Sequence, residues 1–411
     1  MKHDKPKRPV PALPFLVAEA EGGEGPDESG GADDHDEAFA EALEPTLPEA
    51  KESDKAAIRE QLALATAQRE ADRSRAMTEP AGRTSSAPVG LSPQSKAWDA
   101  GPFRLVSRLA VGGMSEVWLA DALQGTLAGR TVVLKRLLPT LRGTPDCVER
   151  FRAEARFGAA LVHPNLARTF ELYERPPELF LSQELLGGET LGLLTAAARK
   201  KGERLHPGAV LHAIDSLLTA LSFLHTGGHG QSELRLIHGD VNPDNLVARP
   251  DGQVKLIDLG LAQPLGPTGV VTSPDGALRG TPAYMAPEQV KARPLSPKSD
   301  LFSAGVLLWE LLANRPLFAD ESQFETLRRV RELPAPPLRS VWPEAPTSFE
   351  RLLVRALAKD EAQRFESAEE FAAALRQAGH REGMSASPEL LAAEVARHAP
   401  KAPRADPQGP L

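Results

Sequence analysis

Three polar residues in two short stretches supply groups that a phosphoryl transfer from a nucleoside triphosphate would need. Asp240 and Asn245 lie five residues apart in HGDVNPDN, and Asp258 opens DLG thirteen residues further on. A carboxylate at position 240 can accept the proton of an attacking hydroxyl. The amide oxygen of Asn245 and the carboxylate of Asp258 are oxygen ligands of the kind that Mg²⁺ prefers. A turn such as NPDN is usually only a turn, so the hypothesis depends on its pairing with DLG.

Lys135 is a candidate phosphate ligand because it ends the apolar strand VVLK, where an unpaired ammonium would be costly. Glu154, in the helical stretch that follows, is its obvious partner. Upstream, LAVGGMSEVWLA contains glycines whose backbone N–H groups could approach phosphates closely. Without the later stretches, a lysine that reaches solvent and an ordinary hairpin would explain these residues equally well. The nucleotide-binding candidates in this segment are Ala110, Gly112, Gly113 and Val117.

These residues need a strand-rich part and a helix-rich part to position them. Runs of apolar and β-branched residues, separated by glycine-containing turns, predict antiparallel strands at 103–110, 116–123 and 131–138. Helical spacing predicts a helix over 147–162, and two more strands fit within 167–185. Beyond Gly187 and Gly188 the pattern becomes helical, most clearly over 210–224 and 298–313. We therefore expect an α+β fold with a small β-rich lobe, a larger helical lobe and a ligand cleft between them.

Taken together, the order and spacing of these stretches resemble the bacterial eukaryotic-like (Hanks-type) serine/threonine protein kinases over residues 101–378. Downstream segments strengthen the resemblance. GTPAYMAPEQ, residues 280–289, resembles the peptide-binding segment, in which Thr281 favours Ser/Thr substrates. Asp300 matches the residue that braces the catalytic loop, and Arg364 matches the partner of Glu288. The implied fold is bilobal, with an N-lobe over 101–186 and a C-lobe over 187–378.

The resemblance implies Mg-ATP as the cofactor, with Mn²⁺ as a possible substitute, and protein substrates. Asp240 would be the catalytic base, Lys135 and Glu154 would hold the α- and β-phosphates, and Asn245 and Asp258 would bind the metal. FLSQELLGGETL resembles the hinge that binds adenine through backbone groups. The candidate hinge residues are Glu184 and Leu186, with Gln183 at the gatekeeper position.

Two departures from the family pattern affect the predicted activity. Gly239 stands where an arginine usually precedes the catalytic aspartate, which predicts activity independent of activation-loop phosphorylation. Asn242, itself a candidate cofactor contact, stands where a lysine usually faces the γ-phosphate, which predicts a slow enzyme. A pseudokinase scaffold is therefore the non-enzymatic alternative. A small-molecule kinase of the aminoglycoside or choline type is the alternative within enzymes.

Composition restricts the setting in which this chain would work. The single Cys147 excludes an internal disulfide and fits a reducing cytosol, and the net charge of −8 argues against a nucleic-acid binder. The apolar stretch 301–313 is too short for a membrane span and contains Glu310. Pro11 and Pro14 interrupt the short apolar run near the start, so no signal peptide is expected. These features predict a cytoplasmic protein without a membrane span.

The two ends of the chain have the composition of disordered tails. Residues 1–100 are rich in Glu, Asp, Ala, Gly, Pro and Ser and nearly lack aromatic residues, so they are expected to be a disordered acidic extension. Within them, 54–75 has a thin apolar stripe that predicts either a transient helix or a docking helix for a partner. Residues 379–411 are likewise expected to be a disordered tail, in which 388–398 could form a short helix.

Overall fold

The computed structural model describes residues 98–230, 234–265 and 280–399. The predicted docking segment 54–75 lies outside these residues, as does almost all of the N-terminal extension. The Gly- and Pro-rich stretch between DLG and GTPAY has the composition of an activation loop, and its Thr268, Thr272 and Ser273 are candidate autophosphorylation sites. They also lie outside the described residues.

The N-terminal part is a six-stranded antiparallel sheet with the strand order β1-β2-β3-β4-β6-β5. Successive side chains of a strand point to opposite faces, and one face of this sheet contributes Phe103, Val132 and Phe180 to a small core. The predicted strands are confirmed, and β1 adds a short edge strand that pairs Trp98 with Leu105. The strands are β1 (Trp98–Ala100), β2 (Phe103–Val111), β3 (Ser115–Ala122), β4 (Thr131–Leu137), β5 (Thr169–Arg175) and β6 (Glu178–Glu184).

One helix, α1 (Pro145–Ala160), packs against this sheet. Its Phe151 and Ala155 are buried with Leu137 and Leu181 of the sheet. The buried face of α1 also includes Glu154, which is 2% exposed. The predicted helix at 147–162 is therefore present, displaced by two residues toward the N-terminus. The packing of α1 against the sheet therefore places the Glu154 carboxylate next to β4.

The C-terminal part is helical and is built around α5 (Pro297–Ala313), whose residues 299–313 are all buried. Ser296 caps α5 by accepting a hydrogen bond from Lys298 N, and Asn314 ends it in the left-handed conformation. The other helices are α2 (Leu191–Lys200), α3 (Pro207–Gly230), α4 (Pro287–Val290), α6 (Gln323–Glu332), α7 (Thr347–Ala356), α8 (Ala368–Arg381) and α9 (Pro388–His398). The short strands are β7 (Glu189–Thr190), β8 (Leu236–Ile237), β9 (Leu246–Ala248), β10 (Val254–Leu256) and β11 (Gln263–Pro264).

The predicted boundary of the C-terminal tail, at residue 379, is corrected by the structure. Helix α8 continues to Arg381, and the helix considered for 388–398 is present as α9. Leu391 and Val395 bury the inner face of α9 against the C-terminal core, and Ser387 caps its first turn. A helix with a buried apolar stripe is part of the folded unit, so the expectation of a disordered tail was wrong for 379–398.

Among the described helices, α3 contains a segment, Pro207–Gly228, that is long and apolar enough to cross a membrane. In this structure 67% of its apolar window is buried inside the protein. Its apolar residues pack against α5, α8 and α9. The central helix of a globular domain meets the same criterion, so this segment is weak evidence for a span.

Candidate active site

The loop between β8 and β9 contains the predicted catalytic base Asp240 and the predicted metal ligand Asn245. Asn242 begins its single turn of 3₁₀-helix, Pro243–Asn245, and the Asn242 Oδ1 atom accepts hydrogen bonds from Asp244 N (3.0 Å) and Asn245 N (3.2 Å). Proline at the first position of a helical turn is favourable because its missing N–H would have no partner there. This turn brings Asn245 back toward Asp240. The Asn245 Nδ2 atom donates to Asp240 O at 2.9 Å and to Asp240 Oδ2 at 3.2 Å.

Asp240 is held from the opposite side by Thr281. The backbone N–H and the hydroxyl of Thr281 both donate to Asp240 Oδ1, each at 2.9 Å. Asn242 Nδ2 completes the group by donating to the Thr281 hydroxyl oxygen at 3.0 Å. Hydrogen bonds from both sides therefore orient the Asp240 carboxylate.

Asp300 of α5 supports the loop from below, as predicted. Its carboxylate accepts hydrogen bonds from His238 N and Gly239 N, both at 2.9 Å, and lies 2.8 Å from His225 Nε2. Burial alone would raise the pKa of Asp300. His225, His238 and the backbone N–H of Gly239 outweigh burial and lower that pKa. Gly239 has φ = +77°, which a residue with a side chain rarely adopts. The buried anion and the glycine together set the direction of the chain into Asp240.

Lys135 lies between two carboxylates, one from each part of the molecule. Its Nζ atom is 2.8 Å from Glu154 Oε1 and 2.9 Å from Asp258 Oδ1. Burial alone would lower the pKa of Lys135, but the two carboxylates outweigh it and raise that pKa, so the ammonium keeps its charge. Burial opposes the ionisation of Asp258, yet Lys135 and the N–H of Gly260 lower its pKa. The predicted pair of Lys135 and Glu154 is therefore formed, and it extends to Asp258.

The oxygens of Asn245 and Asp258 fit a hard divalent cation. Asn245 uses its amide nitrogen inside the protein, which turns its Oδ1 atom away from those bonds. Asp258 uses Oδ1 for Lys135 and Gly260, and its side chain is 43% exposed. In the described ranges no group of three or more His, Cys, Asp and Glu could hold a metal by itself. Such a two-ligand site suits Mg²⁺, which usually keeps waters and binds substrate phosphates.

The glycine-containing turn between β2 and β3 joins two strands of the sheet that contains Lys135. Ala110 pairs with Val117, and Val117 pairs with Lys135, so these three predicted residues lie in register across three strands. The turn is closed by a hydrogen bond from Gly112 N to Ser115 O at 2.8 Å. A β-carbon at Gly113 would meet no atom within 4 Å. The space beside this turn is open to a ligand.

The predicted hinge is the segment between β6 and β7. Glu184 is the last residue of β6, and Leu186 follows in the extended connection. The Gln183 amide donates to the Thr169 hydroxyl at 3.3 Å, which places it on the side of α1. The structure brings these residues to the edge where the two parts of the molecule meet. Their contact with adenine stays a prediction.

Asn242 was predicted to contact the cofactor, but its side chain makes its hydrogen bonds to groups of the protein. Both N–H groups of its amide are used, one for Asp240 O and one for Thr281, while its oxygen caps the helical turn. It is also 4% exposed. These bonds leave it no obvious free donor for a phosphate, so its role as a cofactor contact stays a prediction that the geometry does not favour.

The segment 280–289 is anchored by a buried ion pair. Glu288 accepts hydrogen bonds from the Arg364 guanidinium at 2.8 Å on each oxygen, and Ser299 also donates to it. Arg364 has a fully buried side chain and lies 4.9 Å from the ring of Phe302. The predicted pairing of Glu288 with Arg364 is therefore formed in the core. Gln289 extends the anchor by donating to Gly239 O at 3.0 Å.

Sequence reasoning missed three residues that support this site. The sequence assigned no role to His225, whereas in the structure it contacts Asp300. Lys255 was not singled out, although its ammonium lies 2.6 Å from Glu184. Gln289 was read only as the end of GTPAYMAPEQ. A histidine at the end of an apolar helix was the one usable signal, since a buried imidazole needs a polar partner.

Comparison with known proteins gives a family. Residues 103–375 match the model of the protein kinase domain. The chain is 35% identical over 289 residues to the tyrosine-protein kinase MasK of Myxococcus xanthus, an alignment that covers 70% of this chain and 44% of that protein. It is 34% identical over 280 residues to the serine/threonine-protein kinase Pkn1 of Myxococcus xanthus, with 67% and 38% covered.

A third relative is the serine/threonine-protein kinase PknA of Mycobacterium tuberculosis. The identity is 33% over 291 residues, which cover 69% of this chain and 63% of that protein. The chain thus spans less than two thirds of the length of each of these relatives. Because the family model covers well over half of this chain and matches the region where the site lies, the chain belongs to the protein kinase domain family, and its resemblance to bacterial kinases is confirmed.

Proposed function

We propose that this chain transfers the γ-phosphate of Mg-ATP to serine or threonine hydroxyls of proteins. The observation that carries the proposal is the position of Lys135 between Glu154 and Asp258. This arrangement joins the sheet, α1 and the DLG segment around one cation. In kinases it accompanies the active conformation.

Asp240 would act as the catalytic base in this proposal. Thr281 and Asn245 hold its carboxylate in one orientation, which reduces the entropy lost when a substrate hydroxyl binds beside it. The carboxylate would accept the hydroxyl proton as the oxygen attacks the phosphorus in line with the departing ADP oxygen.

The charge of the phosphates would be met by groups already in place. Lys135 would donate to the α- and β-phosphate oxygens, and Glu154 would hold the ammonium in place. Asn245 and Asp258 would hold Mg²⁺, which when bound neutralises charge on the phosphate oxygens. Glu184 and Leu186 would bind the adenine edge through backbone groups.

Serine or threonine is favoured over tyrosine as the acceptor by Thr281, which lies against the catalytic aspartate. The names of Pkn1 and PknA agree with this preference, whereas MasK carries the name of a tyrosine kinase. Phosphoamino-acid analysis of the labelled product decides between them. We further propose a cytoplasmic setting and a docking role for the N-terminal extension, both on composition alone.

The test is incorporation of radiolabelled phosphate from ATP with Mg²⁺, into the chain itself and into a generic protein substrate. Wild type is compared with Lys135→Met, Asp240→Asn and a matched control, Lys200→Met, at an exposed position near the end of α2. The proposal expects label on serine or threonine that both site variants lose and the control keeps. Equal labelling in wild type and Asp240→Asn would overturn it.

A pseudokinase scaffold is the second candidate, because Asn242 carries no charge and Gly239 carries no side chain. In that case the chain would bind nucleotide, seen as a Mg-dependent thermal shift, without transferring phosphate. Phosphorylation of an aminoglycoside or amino alcohol, with no protein labelled, would instead indicate a small-molecule kinase.

A further inference from the structure

Lys255 has no role in the mechanism above, yet it is buried next to the proposed site. It is the central residue of β10, and it is 8% exposed. Only Ile257 separates β10 from the proposed metal ligand Asp258. A buried ammonium is costly unless it is paired, so its partners identify what this strand is tied to.

Those partners lie at the start of the hinge. Lys255 Nζ is 2.6 Å from Glu184 Oε1 and donates to Leu166 O at 3.1 Å. The side chains of the pair are only 10% and 23% exposed, so solvent screens their attraction weakly. The ion pair therefore ties the proposed adenine-binding segment to the strand that leads to Asp258.

Residues 165–168 contact both members of the ion pair, Lys255 through Leu166 O and Glu184 through Arg168 N. Glu184 accepts a hydrogen bond from Arg168 N at 2.7 Å and donates from its own backbone N to Arg168 O at 2.9 Å. Asn165 and Ala167 make three hydrogen bonds to the backbone of β10, each between 2.8 and 2.9 Å. The hinge and β10 are thus fixed to one ordered segment as well as to each other.

The far end of the hinge is tied to the same hairpin. β7 pairs with β9, which begins directly after Asn245. β9 pairs in turn with β10, and Ile257 N donates to Asn245 O at 2.9 Å. The hinge is therefore held at both ends by the β9–β10 hairpin, which carries both proposed metal ligands.

We propose that Lys255 is a positioning residue for nucleotide binding. Through Glu184 it sets the distance and angle between the adenine-binding hinge and the hairpin with Asn245 and Asp258. This inference rests on the proposed function, in which the hinge binds adenine and the hairpin binds the metal. A nucleotide that contacts both regions gains affinity from the second contact only if the two are correctly spaced.

The experiment compares two ligands that differ in how many of these regions they reach. Adenosine reaches the hinge alone, whereas a non-hydrolysable ATP analogue with Mg²⁺ reaches both. Their dissociation constants are measured by titration calorimetry, or by ligand-observed NMR for weakly bound adenosine. In Lys255→Met we expect the dissociation constant of adenosine to change by no more than about twofold. The gain, which is the ratio of the adenosine dissociation constant to that of the Mg-bound analogue, should fall by about 10- to 100-fold.

The matched control is Arg376→Met. Arg376 forms an ion pair of the same 2.6 Å length with Asp215, but this pair joins α8 to α3. It should leave both dissociation constants unchanged. Exchanging the charges, with Lys255→Glu and Glu184→Lys together, should recover part of the lost gain.

Folding is checked by thermal melting, and Glu184→Gln provides a second variant if Lys255→Met does not fold. Glutamine keeps an acceptor for Arg168 N and removes the charge that Lys255 meets. Equal weakening of adenosine and the Mg-bound analogue would overturn the inference, because Lys255 would then support only the hinge. An unchanged gain in both variants would also overturn it.

These binding measurements separate the inference from the proposed function. If the wild-type chain binds the Mg-bound analogue but labels no protein, the proposed transfer fails and the role of Lys255 is still tested. If the chain transfers phosphate and Lys255→Met keeps the full gain, only the inference fails. If the wild-type chain binds neither ligand, both are overturned.

Discussion

Replacing Asn242 with lysine tests whether the catalytic loop is slow because it lacks a cation. The Asn242 amide donates to Asp240 O at 3.2 Å and to the Thr281 hydroxyl at 3.0 Å, while its oxygen caps the turn that carries Asn245. A lysine ammonium at this position can still donate hydrogen bonds to acceptors such as Asp240 O and the Thr281 hydroxyl. It would also add a positive charge beside the proposed position of the γ-phosphate. It cannot accept the two backbone hydrogen bonds. We therefore expect a faster but less stable enzyme.

The magnitudes follow from these contacts. Loss of a capping oxygen costs about 1 kcal/mol. Asn242 is 4% exposed, so backbone N–H groups left without an acceptor there would raise the cost to about 2 kcal/mol. For a folded region of about 300 residues, that loss lowers the melting temperature by about 3 °C. One positioned cation at a site of developing charge is worth on the order of 10² in kcat.

The assay is the initial rate of phosphate incorporation into a protein substrate at saturating Mg-ATP. Asn242→Met is the matched control, because it also loses the cap and has no charge. The expected result is a loss of stability in both variants and a rise in kcat only in Asn242→Lys. Equal rates in the two variants would show that charge at this position does not limit transfer, and the reasoning would fail.

Three further predictions concern the C-terminal part of the protein. Arg364→Met should reduce the free energy of unfolding by about 3–5 kcal/mol, because it leaves Glu288 buried without its cation; denaturant unfolding should show a much smaller loss when the change is made in a Glu288→Gln background. Burial lowers the pKa of Lys359 to about 8, so between pH 8 and 10.5 the unfolded chain binds the extra proton and stability should rise with pH; a rise of the same size in Lys359→Met would refute that assignment. Leu391→Ala, at a position in α9 that is 1% exposed, should cost about 2–5 kcal/mol, whereas Val354→Ala, which is 73% exposed, should cost little by the same measurement.

The sheet and its lysine could be predicted because their signals are local. Strands β2, β3 and β4 are runs rich in apolar and β-branched residues, and the turns between them contain glycine. An ammonium at the end of an apolar strand needs an anion, and the next helix, α1, offered Glu154. The catalytic turn was equally accessible, since Pro243 and the asparagines around it specify their own conformation. Each of these inferences needed only neighbouring residues or one simple rule of charge.

Helix α9 could not be placed because its partners are distant in the chain. Glu394 accepts a hydrogen bond from His206 N, 188 residues earlier. Gly252, in the turn of the β9–β10 hairpin, has φ = +81°, and a β-carbon there would lie 2.0 Å from Pro388 O. A glycine in a turn gives no indication that a helix will lie against it. The Ala- and Pro-rich composition favoured a tail, and only the small apolar stripe with Leu391 opposed it.

Lys255 was missed for a different reason, which bears on how the site works. In the pattern Val254-Lys255-Leu256, alternation predicts a lysine directed to solvent, opposite two buried neighbours. All three residues are buried instead, because residues 165–168 and Glu184 cover the outer side of β10. Groups that touch a substrate occur in short motifs, whereas the contacts that set the distance between two such motifs join residues far apart in sequence. Lys255→Met, which breaks the ion pair with Glu184, should therefore reduce the affinity gained from adenosine to the Mg-bound ATP analogue, although it changes none of the short motifs.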